Sequence, residues 1–276
     1  PPLRSSAASD VYKRQERYFK ALVATGMKLN SQKSNWACRD KIPVLGYILH
    51  LPTKSLLASP TKIKGILSMS PPHDKRSTKR FVGAVSFLSQ FIFGLQQLLK
   101  PLHEIASPKN PFKWTSECHK NWEIIRRSIA QLPALRLPSP NFDLHLHVDS
   151  SPNVCLALNW LYTQQSDPEQ PNKHFLVQFG SKCLKPEHLA LSQCELEALG
   201  ILASLQSDKH LVHYSNVVLH TDCRGLVFLK IHEQSQSKLH RWLLFLNSLP
   251  LTISFTPATN YFIRLVDTVS YTHLRA

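Results

Sequence analysis

Apolar residues recur along this chain in two rhythms, and the change of rhythm divides it. In ERYFKALVATGMKLN, residues Glu16 to Asn30, they fall at helical spacing, and Gly26 supplies a helix stop. The β-rich string IPVLGYILH, Ile42 to His50, together with the turn before Leu56 predicts two short strands. Phe81, Val85, Leu88 and Phe91–Ile92 lie three or four residues apart and predict the buried stripe of a small helical bundle. Pro71 and Pro72 cannot continue a helix and separate this stripe from an earlier one. From Phe142 the period becomes two. Leu144, Leu146 and Val148 alternate with His145, His147 and Asp149, which predicts a strand with one apolar and one polar face. Val217 to Thr221 is a second, β-branched strand ending in Asp222. Between the two rhythms, LPALRLPSPN at residues 132–141 reads as a Pro-rich linker.

The chain of 276 residues, 43% hydrophobic, has the length of about two domains. Its net charge of +15 is unevenly placed: residues 1–138 hold 23 Lys and Arg against 7 Asp and Glu, whereas residues 139–276 hold 10 against 11. The basic half has the character of a nucleic-acid grip, since phosphate neutralisation releases counterions and gives sequence-independent affinity; a solvated basic surface has the same composition. Six cysteines without a CxxC pair fit a reduced, intracellular protein. No apolar run reaches the ~20 residues of a membrane span, so no membrane partner is expected.

Both ends read as foreign. Ser5 to Gln15 (SSAASDVYKRQ) and Val269 to Ala276 (VSYTHLRA) resemble translations of the two arms of a sequencing-library adaptor. Residues 1–15 and 269–276 are therefore set aside, and residues 16–268 are taken as the genuine fragment.

Four carboxylates have distinctive settings: Asp149 in LHLHVDSS, Glu197 in LSQCELEALGIL, Asp222 in VVLHTDCRGL and Asp267 in IRLVDTVS. Hard divalent cations want oxygen ligands, so a site holding two of them over a phosphodiester needs clustered acids from separate elements. Taken alone, Asp222 serves equally well as the N-cap of a following helix. HxHxD at residues 145–149 also resembles the ligand cluster of metallo-β-lactamase-type hydrolases. Ser150 stands where that cluster needs a histidine, and no further ligands lie at usable spacing, so zinc hydrolysis is disfavoured.

These blocks, in this order, resemble the Pol polyprotein of Ty3/gypsy-type LTR retrotransposons. Leu29, Asn30 and Lys33, then Leu45 to Ile48, resemble the end of the reverse transcriptase palm, read here as residues 16–59. Residues 60–131 follow the thumb or connection pattern, with a Phe-Gly helix, a Leu-x-Pro-Leu ending, and F-x-W-T-x-E-C carried by Phe112, Trp114 and the residues after it. Phe112, Trp114 and Trp122 are expected as core anchors rather than base-stacking platforms. Residues 142–268 resemble the ribonuclease H domain. FGSKCLKPEHLALSQCELEALGIL aligns without gaps, TDCRGLVFL matches T-D-x-x-x-L-x-x-L, and LHRWLLFL matches the R-W-x-x-x-L helix. The implied fold is α/β and α+β: palm-end strands and a small helical thumb, then a ribonuclease H-like mixed sheet flanked by helices.

The resemblance implies that Asp149, Glu197, Asp222 and Asp267 bind two Mg2+ ions, with Mn2+ as a substitute, and cleave the RNA strand of an RNA–DNA hybrid. Asp149 would bridge the ions, Glu197 and Asp222 would complete one site, and Asp267 would help hold the other. The register puts the catalytic acid at Glu197 with Glu195 as fallback; two residues on a helix lie about 200° apart, so only one can face the metals. Lys75, Arg76, Lys79 and Arg80 are the expected contacts to a template-primer backbone. The remaining implied partner is the rest of the Pol polyprotein, in a cytoplasmic virus-like particle or the nucleus. The palm's Y-x-D-D would lie upstream of Glu16, so DNA synthesis is not expected of this fragment. Two departures keep a second reading open, a degenerate ribonuclease H-like module that binds nucleic acid or has a structural role. SSPNVCLALNWL after Asp149 lacks the family's glycines, and Ala258 replaces a Gly ahead of a lengthened segment to Asp267.

Overall fold

In the computed structural model, residues 3–30, 32, 40–139, 141–151, 157–165, 174–212, 216–223, 242, 244–246 and 248–257 are described. Residues Pro1–Asp40 form one compact unit and Lys41–Ala276 another. The first unit holds helix α1 (Leu3–Ala24), which begins well upstream of the expected start at Glu16 because no Pro or Gly interrupts residues 3–15. It ends where expected. Gly26 adopts φ +72°, its N–H donates to the Val23 carbonyl, and the Met27 N–H donates to that of Leu22.

The second unit opens with a four-stranded antiparallel sheet in the order β1 (Lys41–Val44), β2 (Tyr47–His50), β3 (Ser55–Ala58) and β4 (Leu135–Arg136). IPVLGYILH is therefore a hairpin, not one strand. Leu45 and Gly46 both take positive φ, +50° and +85°, the condition for a two-residue turn whose twist matches its strands. A Cβ on Gly46 would also stand 3.0 Å from the Phe87 ring. The Pro-rich segment read as a linker contributes β4: Leu135 is buried, and the Arg136 guanidinium donates to the Thr53 carbonyl while lying over the Phe175 ring.

Helices α2 (Pro60–Leu67), α3 (Lys75–Ser86), α4 (Leu95–Ala106) and α5 (Ser116–Ala130) build the helical layer. Pro60 starts α2, where its missing N–H costs nothing, and the Asp74 carboxylate starts α3 by accepting from the Ser77 N–H at 2.6 Å. Thr115 caps α5 by accepting from the Cys118 N–H. The expected stripe is buried throughout, although α3 ends at Ser86 and Phe91 closes a short 3₁₀ turn, Ser89–Phe91. Trp122 is buried in this core and Trp114 packs against it, as expected of anchors.

The mixed sheet follows: β5 (Leu144–Ser151), β6 (Ala157–Gln165), β7 (His174–Cys183), β8 (Val217–Thr221) and β9 (Leu251–Phe255), in the order β7-β6-β5-β8-β9. β5, β6 and β7 pair antiparallel, whereas β8 runs parallel to both β5 and β9. Leu144, Leu146, Val148, Trp160 and Tyr162 turn one face toward helix α6 (Gln193–Ser207), whose residues 196–198 and 200–205 are all buried. Gly180 stands opposite Trp160, and a Cβ there would lie 2.1 Å from the indole, so only glycine lets the ring lie flat across the strand. The indole N–H donates to Asp208 at 2.8 Å. The other face meets the helical layer: Phe93 packs edge-on against Phe179, and the Gln96 N–H donates to the Ser181 hydroxyl. Among the described residues no helix is long and apolar enough to cross a membrane.

Candidate active site and nucleic-acid interface

The parallel pairing of β5 with β8 sets the geometry of the acids. In register Leu144 faces Val217 and His147 faces His220. Two residues further along each strand come Asp149 and Asp222, at the ends of neighbouring strands about 4.8 Å apart. Asp222 is exposed just beyond β8; Asp149 lies within β5, opposite Asn159 of β6, and its side chain falls outside the described residues. Asp267 also lies outside them.

Glu195 and Glu197 part company as the helix geometry requires. Glu195 completes a capping box, its carboxylate accepting from the Ser192 N–H at 2.9 Å and the Ser192 hydroxyl at 2.8 Å. Glu197 is 5% exposed, and its carboxylate accepts from the Gln193 side-chain amide at 3.0 Å. A carboxylate so buried stays ionised only where donors or a counter-charge compensate it.

Cys194, one turn before Glu197, and Cys223, the residue after Asp222, both pack against the core of the mixed sheet, and burial, followed by the neighbouring Cys223 thiol, pushes the Cys194 thiol up to about 12. The described acids are hard oxygen donors, the chemistry that suits Mg2+ or Mn2+. Among the described residues, no three His, Cys, Asp or Glu side chains are grouped so as to hold a metal.

The polar face of β5 carries an imidazole array that sequence reading treated as ordinary strand residues. His145 Nδ1 lies 2.9 Å from His220 Nε2, His147 stacks on His220 with centroids 4.5 Å apart, and His174 meets His145 edge-on at 4.5 Å. Burial, reinforced by the neighbouring imidazoles, pushes His145 and His220 down to about 4 and His147 to about 2, so all three are neutral at pH 7. The signal was the HxH alternation with a further His directly before Thr221 and Asp222. The same face carries Asn159, fully buried, whose amide oxygen and nitrogen have no hydrogen-bond partner among the described residues.

On α3, Arg76, Lys79 and Arg80 are exposed at positions that share a helix face. Lys75 is half-buried and its ammonium donates to the Pro108 carbonyl, which turns it away from that group. Arg126, further along the basic half, is structural: it lies over the Trp122 ring and donates to the Leu67 carbonyl at 2.7 Å.

The region thus combines a mixed sheet, two acids near the ends of adjacent strands and a helix carrying a buried acid. Residues 139–249 match the model of the RNase H-like domain found in reverse transcriptase. Along 93% of its length the chain is similar to the Transposon Tf2-3 and Tf2-4 polyproteins of Schizosaccharomyces pombe, at 24% identity over 264 residues, and it spans about 19% of those relatives. Its fold is similar to the foamy viral protease-reverse transcriptase in complex with RNA/DNA hybrid, with a TM-score of 0.74 and 17% identity over 92% of this chain and 34% of that one. The same enzyme in complex with dsDNA gives 0.71 over 91% and 52%. Sequence and fold thus agree in likening the chain to reverse-transcriptase segments of retroelement polyproteins, with residues 139–249 matching an RNase H-like domain.

Proposed function

We propose that residues 142–268 cleave the RNA strand of an RNA–DNA hybrid, with Asp149, Glu197, Asp222 and Asp267 as ligands for two divalent ions, and that the helical region, residues 60–131, grips the hybrid backbone. The observation that carries the reading is the parallel β5–β8 pair, beyond whose last partners, His147 and His220, Asp149 and Asp222 each follow by two residues, together with the buried carboxylate of Glu197 on α6. The ions supply activation of the attacking water and charge neutralisation at the leaving 3′-oxygen. The chain's own part is to hold the ligands rigid: strand ends fix two of the acids, and α6, anchored by its capping box and apolar flanks, fixes Glu197. Glu195, engaged in that box, is left out of the ligand set.

Arg76, Lys79 and Arg80 offer point charges to phosphates, and RNA selectivity would come from contacts to 2′-hydroxyls in the wide minor groove. Lys75 serves that surface less, being held to the Pro108 carbonyl. The parent polyprotein would supply the polymerase palm, and an intracellular setting, in a particle or the nucleus, fits the unpaired thiols among the described cysteines.

The test is cleavage of a labelled RNA–DNA hybrid with Mg2+, against chelator and an Asp149→Asn control. Metal-dependent cutting of the RNA strand alone, lost in the variant, is the expected result. Tight binding by a folded sample with no cutting would instead establish the degenerate binding module that the missing glycines after Asp149 favour.

A further inference from the structure

Side chains tie three neighbouring strands together just before Asp222. His145 Nδ1 on β5 lies 2.9 Å from His220 Nε2 on β8, and His220 Nδ1 lies 2.8 Å from the hydroxyl of Thr256, immediately beyond β9. Both ring nitrogens of His220 are thus engaged, and its face stacks on His147, its partner in the parallel pair, with planes 7° apart. A neutral imidazole donates from one nitrogen and accepts at the other, so a ring bonded at both cannot turn without breaking the row. The backbone repeats the tie. The Thr256 N–H donates to the Thr221 carbonyl at 3.0 Å, and the Thr221 hydroxyl accepts from the Cys223 N–H at 3.1 Å. Exposed Asp222 stands between these two bonds, directly after the buried Thr221. The row is costly, since two half-buried imidazoles and a buried hydroxyl must be taken out of water. Strand pairing alone does not ask for it, because β-branched apolar residues fit such positions well.

We propose that His220 is a positioning residue: bonded to His145 on one side and Thr256 on the other, it locks the end of β8 between β5 and β9, and so sets where Asp222 presents its carboxylate to a divalent ion. The row itself stands on the hydrogen bonds; its effect on metal binding rests on the nuclease reading above. Ligands of a metal site must be held within about 0.5 Å of their productive geometry, so a strand end freed to shift weakens the site without removing any ligand. Groups that orient metal ligands from behind contribute about 10- to 100-fold to metal affinity or activity.

The experiment compares the full chain with Thr256→Val, Thr256→Ser and His220→Phe. Thr256→Val keeps the shape and removes the hydroxyl, Thr256→Ser keeps the hydroxyl, and His220→Phe keeps a ring to stack on His147 but has no nitrogens. Each folded sample is read twice, for Mn2+ affinity by electron paramagnetic resonance and for hybrid cleavage at a fixed Mg2+ concentration. Thr256→Val and His220→Phe are expected to bind Mn2+ about 10-fold more weakly and to lose cleavage in kcat with KM for the hybrid unchanged, while Thr256→Ser keeps the wild-type values. Where His220→Phe does not fold, Thr256→Val decides alone. Unchanged Mn2+ affinity in Thr256→Val overturns the proposal, as does an equal loss in Thr256→Ser. A wild-type chain that shows this pattern of Mn2+ binding but does not cleave would sink the nuclease reading and leave the positioning role standing; one that binds no Mn2+ overturns both.

Discussion

The helical layer and the mixed sheet treat buried polar groups in opposite ways. Around α3 to α5 the fully buried side chains are apolar but for Thr78, whose hydroxyl donates to the Asp74 carbonyl at 2.7 Å, and the polar atoms buried there without a partner among the described residues belong to the half-buried Gln97 and Arg126 and the indole of Trp122. The mixed sheet buries His147, Asn159, Thr163, Glu197, Asp208 and Thr221. Apolar burial specifies and stabilises, whereas a buried polar set is costly unless satisfied and is a mark of functional sites. The difference fits a scaffold role for the helical layer, and for the sheet the chemistry proposed above. The sheet itself repeats the contrast: alternation along β5 turns Leu144, Leu146 and Val148 into the core and His145 and His147 to the other side.

The sharpest way to break this comparison is at the two glutamates of α6. Glu197→Gln is expected to reduce hybrid cleavage roughly 100-fold or more, since it removes a ligand charge worth several kcal/mol in the transition state. Glu195→Gln should retain cleavage and lose only part of a helix cap, about 0.5–1 kcal/mol in denaturant melts. Reversal of the two outcomes would move the site to Glu195.

In the helical layer, Leu99→Ala opens a cavity at a fully buried position and should cost about 2–5 kcal/mol in urea unfolding. A loss below about 1 kcal/mol would show that this core does not carry the scaffold role.

Acid should attack the sheet first. His145 and His220 have folded-state values of about 4, below their ordinary 6.5, so folding favours the neutral rings. That stabilisation is complete above pH 6.5 and is lost as pH falls toward 4. Asp143, which opposes the shift at His145, and His174, which adds to it, face the same ring. Thermal melts should show stability falling through this window, with His145→Gln flattening the slope; an unchanged slope would mean that the array is not what acid disrupts.

The smallest effect expected has the opposite sign. Asn159 buries two unsatisfied amide atoms, so Asn159→Leu should leave stability unchanged or raise it by about 1 kcal/mol. A clear loss of stability would reveal that its amide is satisfied in solution.

Much of this was legible in the chain because the signals are local. Val217–Thr221 is the strand the β-branched run predicts, the alternation of residues 144–149 names both faces of β5, and Pro71–Pro72 falls between α2 and α3. Helix periodicity lets only one of Glu195 and Glu197 face a shared point, the family resemblance favoured Glu197, and the capping box that occupies Glu195 can be read from Ser192 three residues earlier. The hairpin at Leu45–Gly46 was missed because a leucine at positive φ violates its own preference, and is held there by the pairing on either side. β4 was missed because a two-residue strand in a Pro-rich segment has no periodicity, and exists through its pairing with β3.

The sequence by itself determined which residues have apolar faces, where Gly26 and Pro71–Pro72 interrupt helices, and which acids sit in distinctive local settings, since each is set by neighbours a few positions away. Only the tertiary structure decided that β8 lies parallel to β5 and so brings Asp149 level with Asp222. It likewise gathered four histidines from three strands. These contacts join residues tens of positions apart, and their energetics come from strand pairing and shared burial that no local pattern encodes.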